Sequence, residues 1–100
     1  MPSPTTETSR ARILEITVKN HPGVMSHVCG LFARRAYNVD GILCLPDPDR
    51  LTSRIWLRLQ EDARLGQIIR QIEKLIDVIE VREHQAGHAV FVRLEQFFHV

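Results

Sequence analysis

The residue types best placed to do chemistry lie together in Asn20-His21-Pro22-Gly23-Val24-Met25. An apolar alternating segment ends at Asn20, and a helical pattern begins at Gly23. Pro22 closes the turn and has no N–H to leave unsatisfied, while Gly23 has no side chain to block approach to the backbone. The free N–H groups of Gly23, Val24 and Met25 then face open space, with the positive end of a helix behind them. That is a seat for a small anion such as a carboxylate. A strand, a loop and a helix with a glycine at the seat and an asparagine beside it read as a small-molecule sensor. The plainer reading is that Asn20 only caps the helix and Gly23 only makes the turn.

Other reactive side chains are less organised. Cys29 and Cys44 match no zinc or redox spacing and lie among apolar neighbours, so they read as buried reduced thiols. His84 and His88 are four apart, which suits a metal only on a helix, and no helical signal covers them. No metal site and no catalytic group is expected. Arg34 and Arg35 read as a solvated helix end. His21 and His27 read as surface residues.

The elements that position the seat follow from periodicity. Residues 12–19 alternate, with Leu14, Ile16 and Val18 on one face and Glu15, Thr17 and Lys19 on the other, a first strand with one face in a core. Residues 23–36 carry Val24, Val28, Leu31 and Phe32 as one helical stripe. Residues 38–45 form a second strand, with Val39, Leu43 and Leu45 on one face and Gly41 between them. Pro46-Asp47-Pro48-Asp49 is a turn. Residues 52–60 form a third strand, with Ile55, Leu57 and Leu59 opposite Arg54, Trp56 and Arg58. Trp56, away from the core, reads as a partner contact. Asp62 caps a second helix whose stripe is Leu65, Ile68, Ile69, Ile72, Leu75 and Ile76. Residues 77–83 are a short fourth strand.

The order is βαββαβ, an α+β ferredoxin-like arrangement. Right-handed crossovers place both helices on one face of a four-stranded antiparallel sheet and leave the other face without cover of its own. A bare face and edge strands predict a homodimer or another partner. Residues 1–10 are polar, with no apolar stretch of a signal peptide, and read as a disordered leader of a cytoplasmic protein. The domain spans 11–84. Residues 85–100 are too apolar for a solvated tail and should dock on this domain, on a second copy or on another protein.

Composition narrows the function classes. One hundred residues make one domain, and a net charge of +1 leaves no electrostatic footprint for nucleic acid. No apolar run approaches the roughly 20 residues of a membrane helix. An RNA-binding domain of the same element order needs aromatics on its central strands, and here the first has none and the third only Trp56. A metal chaperone wants CxxC in the first loop. An acylphosphatase-like enzyme wants an arginine in that loop and an asparagine on the third strand. All of these are missing.

The βαββαβ order with a glycine after the first strand resembles the ACT domain, a module that binds amino acids and regulates metabolic enzymes. The block NHPGVMSHVCGLFARRAYNVDGILCLP (20–46), followed by SRIWL (53–57), is similar to the small regulatory subunit of acetohydroxyacid synthase (acetolactate synthase). Within that family it is most similar to the short, single-domain type of enterobacterial isozyme I. The resemblance runs from about Ile13 to Val81, and the tail after Arg82 follows no pattern of the family. It implies a regulatory subunit without catalytic residues, which activates a large subunit holding thiamine diphosphate, Mg²⁺ and FAD and makes it sensitive to valine. It implies side-by-side dimers with the effector between the first loop of one subunit and the second strand of the other. Asn20, Gly23 and Asn38 match effector-binding positions. The N–H groups of Gly23, Val24 and Met25 would take the carboxylate, and the Asn20 and Asn38 side chains with carbonyls near Ile42 would take the ammonium. Val24, Met25 and Ile42 are candidates for the apolar wall. A free-standing amino-acid sensor without a catalytic partner is the alternative.

Overall fold

The computed structural model describes residues 11–20, 23–85 and 87–98. The expected leader, and the expected roles of His21 and Pro22, lie outside them. The elements are β1 (Ala11–Lys19), α1 (Val24–Arg34), β2 (Val39–Pro46), β3 (Thr52–Gln60), α2 (Leu65–Glu73), β4 (Val78–Gln85) and α3 (Ala89–Phe98). The four strands form one antiparallel sheet in the order β2-β3-β1-β4.

Cross-strand pairs assign the faces. Leu14 pairs with Leu57 and Ile16 with Ile55, and these side chains lie fully buried with Val28, Phe32, Ile68 and Ile72 of the helices. The alternation expected of β1 and β3 is therefore present. The stripes of α1 and α2 cover this face because their apolar residues recur at helical spacing while the sheet supplies a matching period of two.

Several details differ from expectation. α1 stops at Arg34 rather than at residue 36. Ala36 takes a left-handed conformation (φ 49°), the Tyr37 N–H donates to the Phe32 carbonyl and the Ala36 N–H to the Ala33 carbonyl. That is a Schellman ending with alanine where glycine is usual, so the sequence gives no stop signal. α2 ends at Glu73, which leaves Leu75 half-buried and Ile76 86% exposed, off the stripe. Asp62 does not cap α2: its carboxylate accepts from the N–H of Arg64 (2.6 Å), the residue that itself precedes the first helical turn. In β2 the register against β3 slips between Val39 and Gly41. A bulge at Asp40 puts Val39, paired with Leu59, on the helix side, whereas Gly41, Leu43 and Leu45 pair with Arg58, Trp56 and Arg54 on the other. The expected common face for Val39, Leu43 and Leu45 is thus broken.

The larger correction concerns the second sheet face, which is not bare. α3 lies across it. Phe91 is buried, and its ring stands 2.9 Å from the point where a Cβ on Gly41 would sit. The Arg58 guanidinium donates to the Glu95 carboxylate, and Phe91, Leu94, Gly41, Leu43 and Arg58 enclose part of a cleft of about 350 Å³. Ile13, which faces this side opposite Arg58, is fully buried, so β1 is covered on both faces. Trp56 is only half exposed, because His84 and His88 stack on it with ring centroids at 5.6 and 4.8 Å.

On the same face of the sheet lies Glu15, a carboxylate only 5% exposed. Its Oε2 accepts from Arg54 Nη1 at 2.5 Å, and its Oε1 is 2.9 Å from His84 Nε2. Burial raises the carboxyl pKa, but the hydrogen bonds and charges of His84 and Arg54 outweigh it and hold the group below its ordinary value of 4.5. An ionised carboxylate only accepts, so His84 Nε2 carries the proton.

Two outcomes are expected. Gly41→Ala sets a methyl against the Phe91 ring and should cost about 1–3 kcal/mol, with protection lost first in α3, read by denaturant unfolding and amide exchange. Glu15 has a depressed folded-state pKa, so its contribution is complete above pH 4.5 and is lost as pH falls through the lower folded value. Glu15→Gln should lower the melting temperature at neutral pH and flatten its fall below pH 4.5.

Candidate functional site

The seat at the end of β1 has the geometry its residue types suggest. Gly23 is the residue before α1, with φ 90°, a left-handed conformation that L side chains rarely adopt. It is exposed, and among the described residues nothing beyond its chain neighbours lies within 4 Å of where its Cβ would be. Among the described residues no side chain caps the helix, and no acidic residue lies in its first turn. The His27 N–H returns to the Gly23 carbonyl at 3.1 Å, so the N–H groups of Val24, Met25 and Ser26 precede the first helical bond. Val24 is buried, whereas Met25 is half-buried against the core and can offer part of its side chain to a ligand.

Asn20 is exposed but not loose. Its backbone N–H donates to the Leu51 carbonyl and its Nδ2 to the Arg50 carbonyl, each at 3.1 Å. The donor end of the amide is therefore engaged by the β2–β3 turn, and Oδ1 is the end turned to other partners. The expected helix-capping role for Asn20 is not seen. Arg50 holds a left-handed φ of 60°, and the Leu51 side chain is 74% exposed beside the seat.

Asn38 and Ile42 are elsewhere. They line a cleft of about 310 Å³ between the C-terminal half of α1 and β2, with Phe32, Tyr37, Val39 and Leu57. Tyr37 closes its end: the hydroxyl donates to the Gln60 carbonyl, and the Arg64 guanidinium carbon stands 5.1 Å above the ring. Lys19 pairs with Thr52 and Val39 with Leu59, so at about 3.3 Å per residue Asn20 and Asn38 are separated by more than roughly 20 Å along the sheet. One chain gathers Asn20, Gly23, Val24 and Met25 at one end and Asn38 and Ile42 towards the other. It does not bring the two groups together.

The cysteines depart from expectation. Cys29 is exposed and Cys44 half-buried, both free, with partial burial pushing both thiols up. Cys29 falls one position off the Val24–Val28–Phe32 stripe, which turns it outward. Among the described residues no group of three or more His, Cys, Asp or Glu side chains is placed to hold a metal, and no helix is long and apolar enough to cross a membrane. Sequence reasoning missed Glu15, whose place on a strand otherwise buried on both sides was the available signal. It also missed the pairing of Asn20 with the turn at Arg50.

Comparison with known proteins places this geometry. The family model described as the AHAS small subunit-like ACT domain matches residues 14–80. The acetolactate synthase isozyme 1 small subunit of Escherichia coli (strain K12) is 58% identical over 86 residues, which are 86% of this chain and 90% of that protein. The isozyme 3 small subunit of the same strain is 38% identical over 77 residues, 76% of this chain but 47% of that protein. Among solved structures, the acetolactate synthase small subunit from Thermotoga maritima superposes with a TM-score of 0.66 over 90% of this chain and 68% of that one, at 24% identity. The ACT domain of a GTP pyrophosphokinase from Chlorobium tepidum gives 0.62 over 74% and 96%, at 13% identity. These last two likenesses establish the ACT fold. With a matching family model from β1 to β4 and 58% identity over 86 residues to a relative of similar length, this chain belongs to the acetolactate synthase small-subunit family.

Proposed function

We propose that this chain is the regulatory subunit of an acetolactate synthase, that it binds valine at an interface between two copies, and that it both activates and feedback-inhibits a catalytic large subunit in the cytoplasm. The observation that carries this reading is Gly23: a bare, left-handed residue at the start of a helix whose first turn carries no acid and faces open space. A carboxylate there gains roughly 0.3–1 kcal/mol from the helix dipole when exposed, and up to about 2 when partly buried.

The separation of the two residue groups supports the dimer. Asn38 and Ile42 are too far along the sheet to meet a ligand at Gly23 of their own chain, whereas the half-exposed edge strand β2 of a second copy could present them. Oδ1 of Asn20 and of Asn38 would accept from the ammonium, and Val24, Met25 and Ile42 would flank the isopropyl group. Thiamine diphosphate, Mg²⁺ and FAD belong, in this reading, to the large subunit, which performs the carbon–carbon bond formation. This chain adds no catalytic group.

Magnitudes constrain the site. A ligand of roughly eight non-hydrogen atoms gains at most about 1.5 kcal/mol per atom, and micromolar affinity needs about 8 kcal/mol, so both charged ends must be satisfied. One methylene discriminates by only about 1–3 kcal/mol, so leucine and isoleucine compete weakly and alanine poorly. Valine inhibits only by binding one arrangement of the subunits better than another, and that preference is reciprocal with large-subunit binding.

Gly23→Asp forces a side chain into a left-handed position and sets an anion against the carboxylate. Asn20→Ala removes an ammonium acceptor and frees the β2–β3 turn. Each should abolish valine sensitivity, with half-inhibition raised at least about tenfold, while the large subunit remains activated in a reconstituted assay. A mutant holoenzyme inhibited as well as wild type would place the site elsewhere. Failure of the purified chain to bind any thiamine-dependent large subunit would leave a free-standing sensor.

A further inference from the structure

Asn20, at the end of β1, and α3 sit on different parts of the molecule, yet a series of hydrogen bonds and one ring contact joins them. Asn20 donates through its backbone and side chain to the carbonyls of Leu51 and Arg50. Inside that turn the Arg50 N–H donates to the Asp47 carbonyl at 2.8 Å, and the Asp47 N–H to the Thr52 carbonyl at 2.9 Å. The Asp47 carboxylate is held from two sides, by the Thr52 hydroxyl (2.5 Å) and by Arg54 Nε (3.2 Å). Arg54 reaches in the other direction with Nη1 to Glu15. Glu15 passes the contact to His84 through its second oxygen. The His84 ring lies 4.5 Å from that of His88, both against Trp56. His88 Nδ1 accepts the Val90 N–H at 3.2 Å, which makes it the cap of the first turn of α3.

We propose that Glu15 is a positioning residue at the junction of this relay, coupling Asn20 and the proposed seat at Gly23 to the seating of α3 on the sheet, so that an occupied seat and a docked α3 favour each other.

The geometry at Glu15 argues for coupling over a static ion pair. Each carboxylate oxygen is committed to one partner, Oε2 to the turn side and Oε1 to the helix side. A carboxylate this buried cannot leave either partner for water, so a displacement of Arg54 is felt at His84. Arg54 is itself divided: its guanidinium is shared between Asp47, in the turn that Asn20 binds, and Glu15, on the face that α3 partly covers. α3 is the element suited to respond. Its seating depends on few groups, chiefly Phe91 in the Gly41 notch, the Arg58–Glu95 pair and the His88 cap. A helix held by few contacts opens locally long before the core does.

In its ligand arm the proposal rests on reading Gly23 as the valine seat; in its ligand-free arm it does not. The test is amide hydrogen exchange on the full chain, with α2 as internal reference. The hydrogen bonds of Asp47 go to Arg50, Thr52 and Arg54, all outside α3, so Asp47→Asn should speed exchange in α3 about fivefold, the low end of ordinary coupling, while α2 is unchanged. His84→Ala should do the same, and so should His84→Gln, which keeps a donor for Glu15 but loses the ring that reaches His88, and the Asp47→Asn/His84→Ala double variant should go no further than the larger single change. Exchange in α3 unaffected by Asp47→Asn, or speeded equally in α2, overturns the relay. Valine, with its binding followed separately by calorimetry, should slow α3 exchange in the wild type and leave it unchanged in Asp47→Asn. Valine that binds without slowing α3 also overturns the relay. Valine that does not bind at all, to chain or holoenzyme, overturns the proposed function instead and leaves the relay to the ligand-free arm.

Discussion

A strand buried on both faces is the constraint from which the rest of this structure follows. β1 lies between β3 and β4 and presents Leu14, Ile16 and Val18 to two helices, while Ala11, Ile13 and Glu15 are buried on the opposite face, part of which α3 covers. The first set makes an ordinary apolar core. The second includes a carboxylate, and a buried carboxylate is costly unless it is paired and hydrogen-bonded. Arg54 from β3 and His84 from β4 supply those donors, one from each neighbouring strand, so the charge also pins the sheet's register on the face that α3 covers.

Two glycines serve this arrangement in different ways. Gly23 is needed for its backbone: a left-handed residue can turn the chain from β1 into α1 and leave the first N–H groups of the helix uncovered. Gly41 is needed for its missing side chain, because the Phe91 ring occupies the space a methyl would take. The bulge at Asp40 aims that notch. Without the extra residue Val39 and Gly41 would share one face, and Gly41 could not turn to α3 while Val39 stays on the core side.

How much of this could be read from residues alone depends on range. The strands, the two core helices and the turn at Gly23 were legible because their signals are local: alternation, a helical stripe, a glycine after a proline. The bulge was not, since Val39-Asp40-Gly41 alternates as well as any regular strand and only the partner's register exposes the slip. The end of α1 was hidden because Ala36 adopts a conformation usually taken by glycine. The tail was visibly too apolar to be free, but its docking depends on Gly41, about fifty residues earlier in the chain, and on a histidine cap that no capping rule includes. Glu15 read as a solvent-facing residue because the covering helix lies outside the repeating βαββαβ pattern. The effector residues were grouped by resemblance, and the single chain sets them at two ends of a sheet.

That division bears on how such a site would regulate. When one chain holds a carboxylate seat and another the opposing wall, occupancy becomes a statement about how two copies are arranged, and a ligand of few atoms can bias a large assembly only through that arrangement. Gly23 and Asn20 are a poor lever by themselves, both being exposed and Asn20 held by two hydrogen bonds to a turn. Their influence must pass through whatever those bonds hold still. Here they hold the turn that positions Asp47, and Asp47 shares Arg54 with the one buried carboxylate of the sheet. A regulatory domain needs one exposed place that is easily changed and one buried place that cannot change alone. In this chain the same arginine touches both.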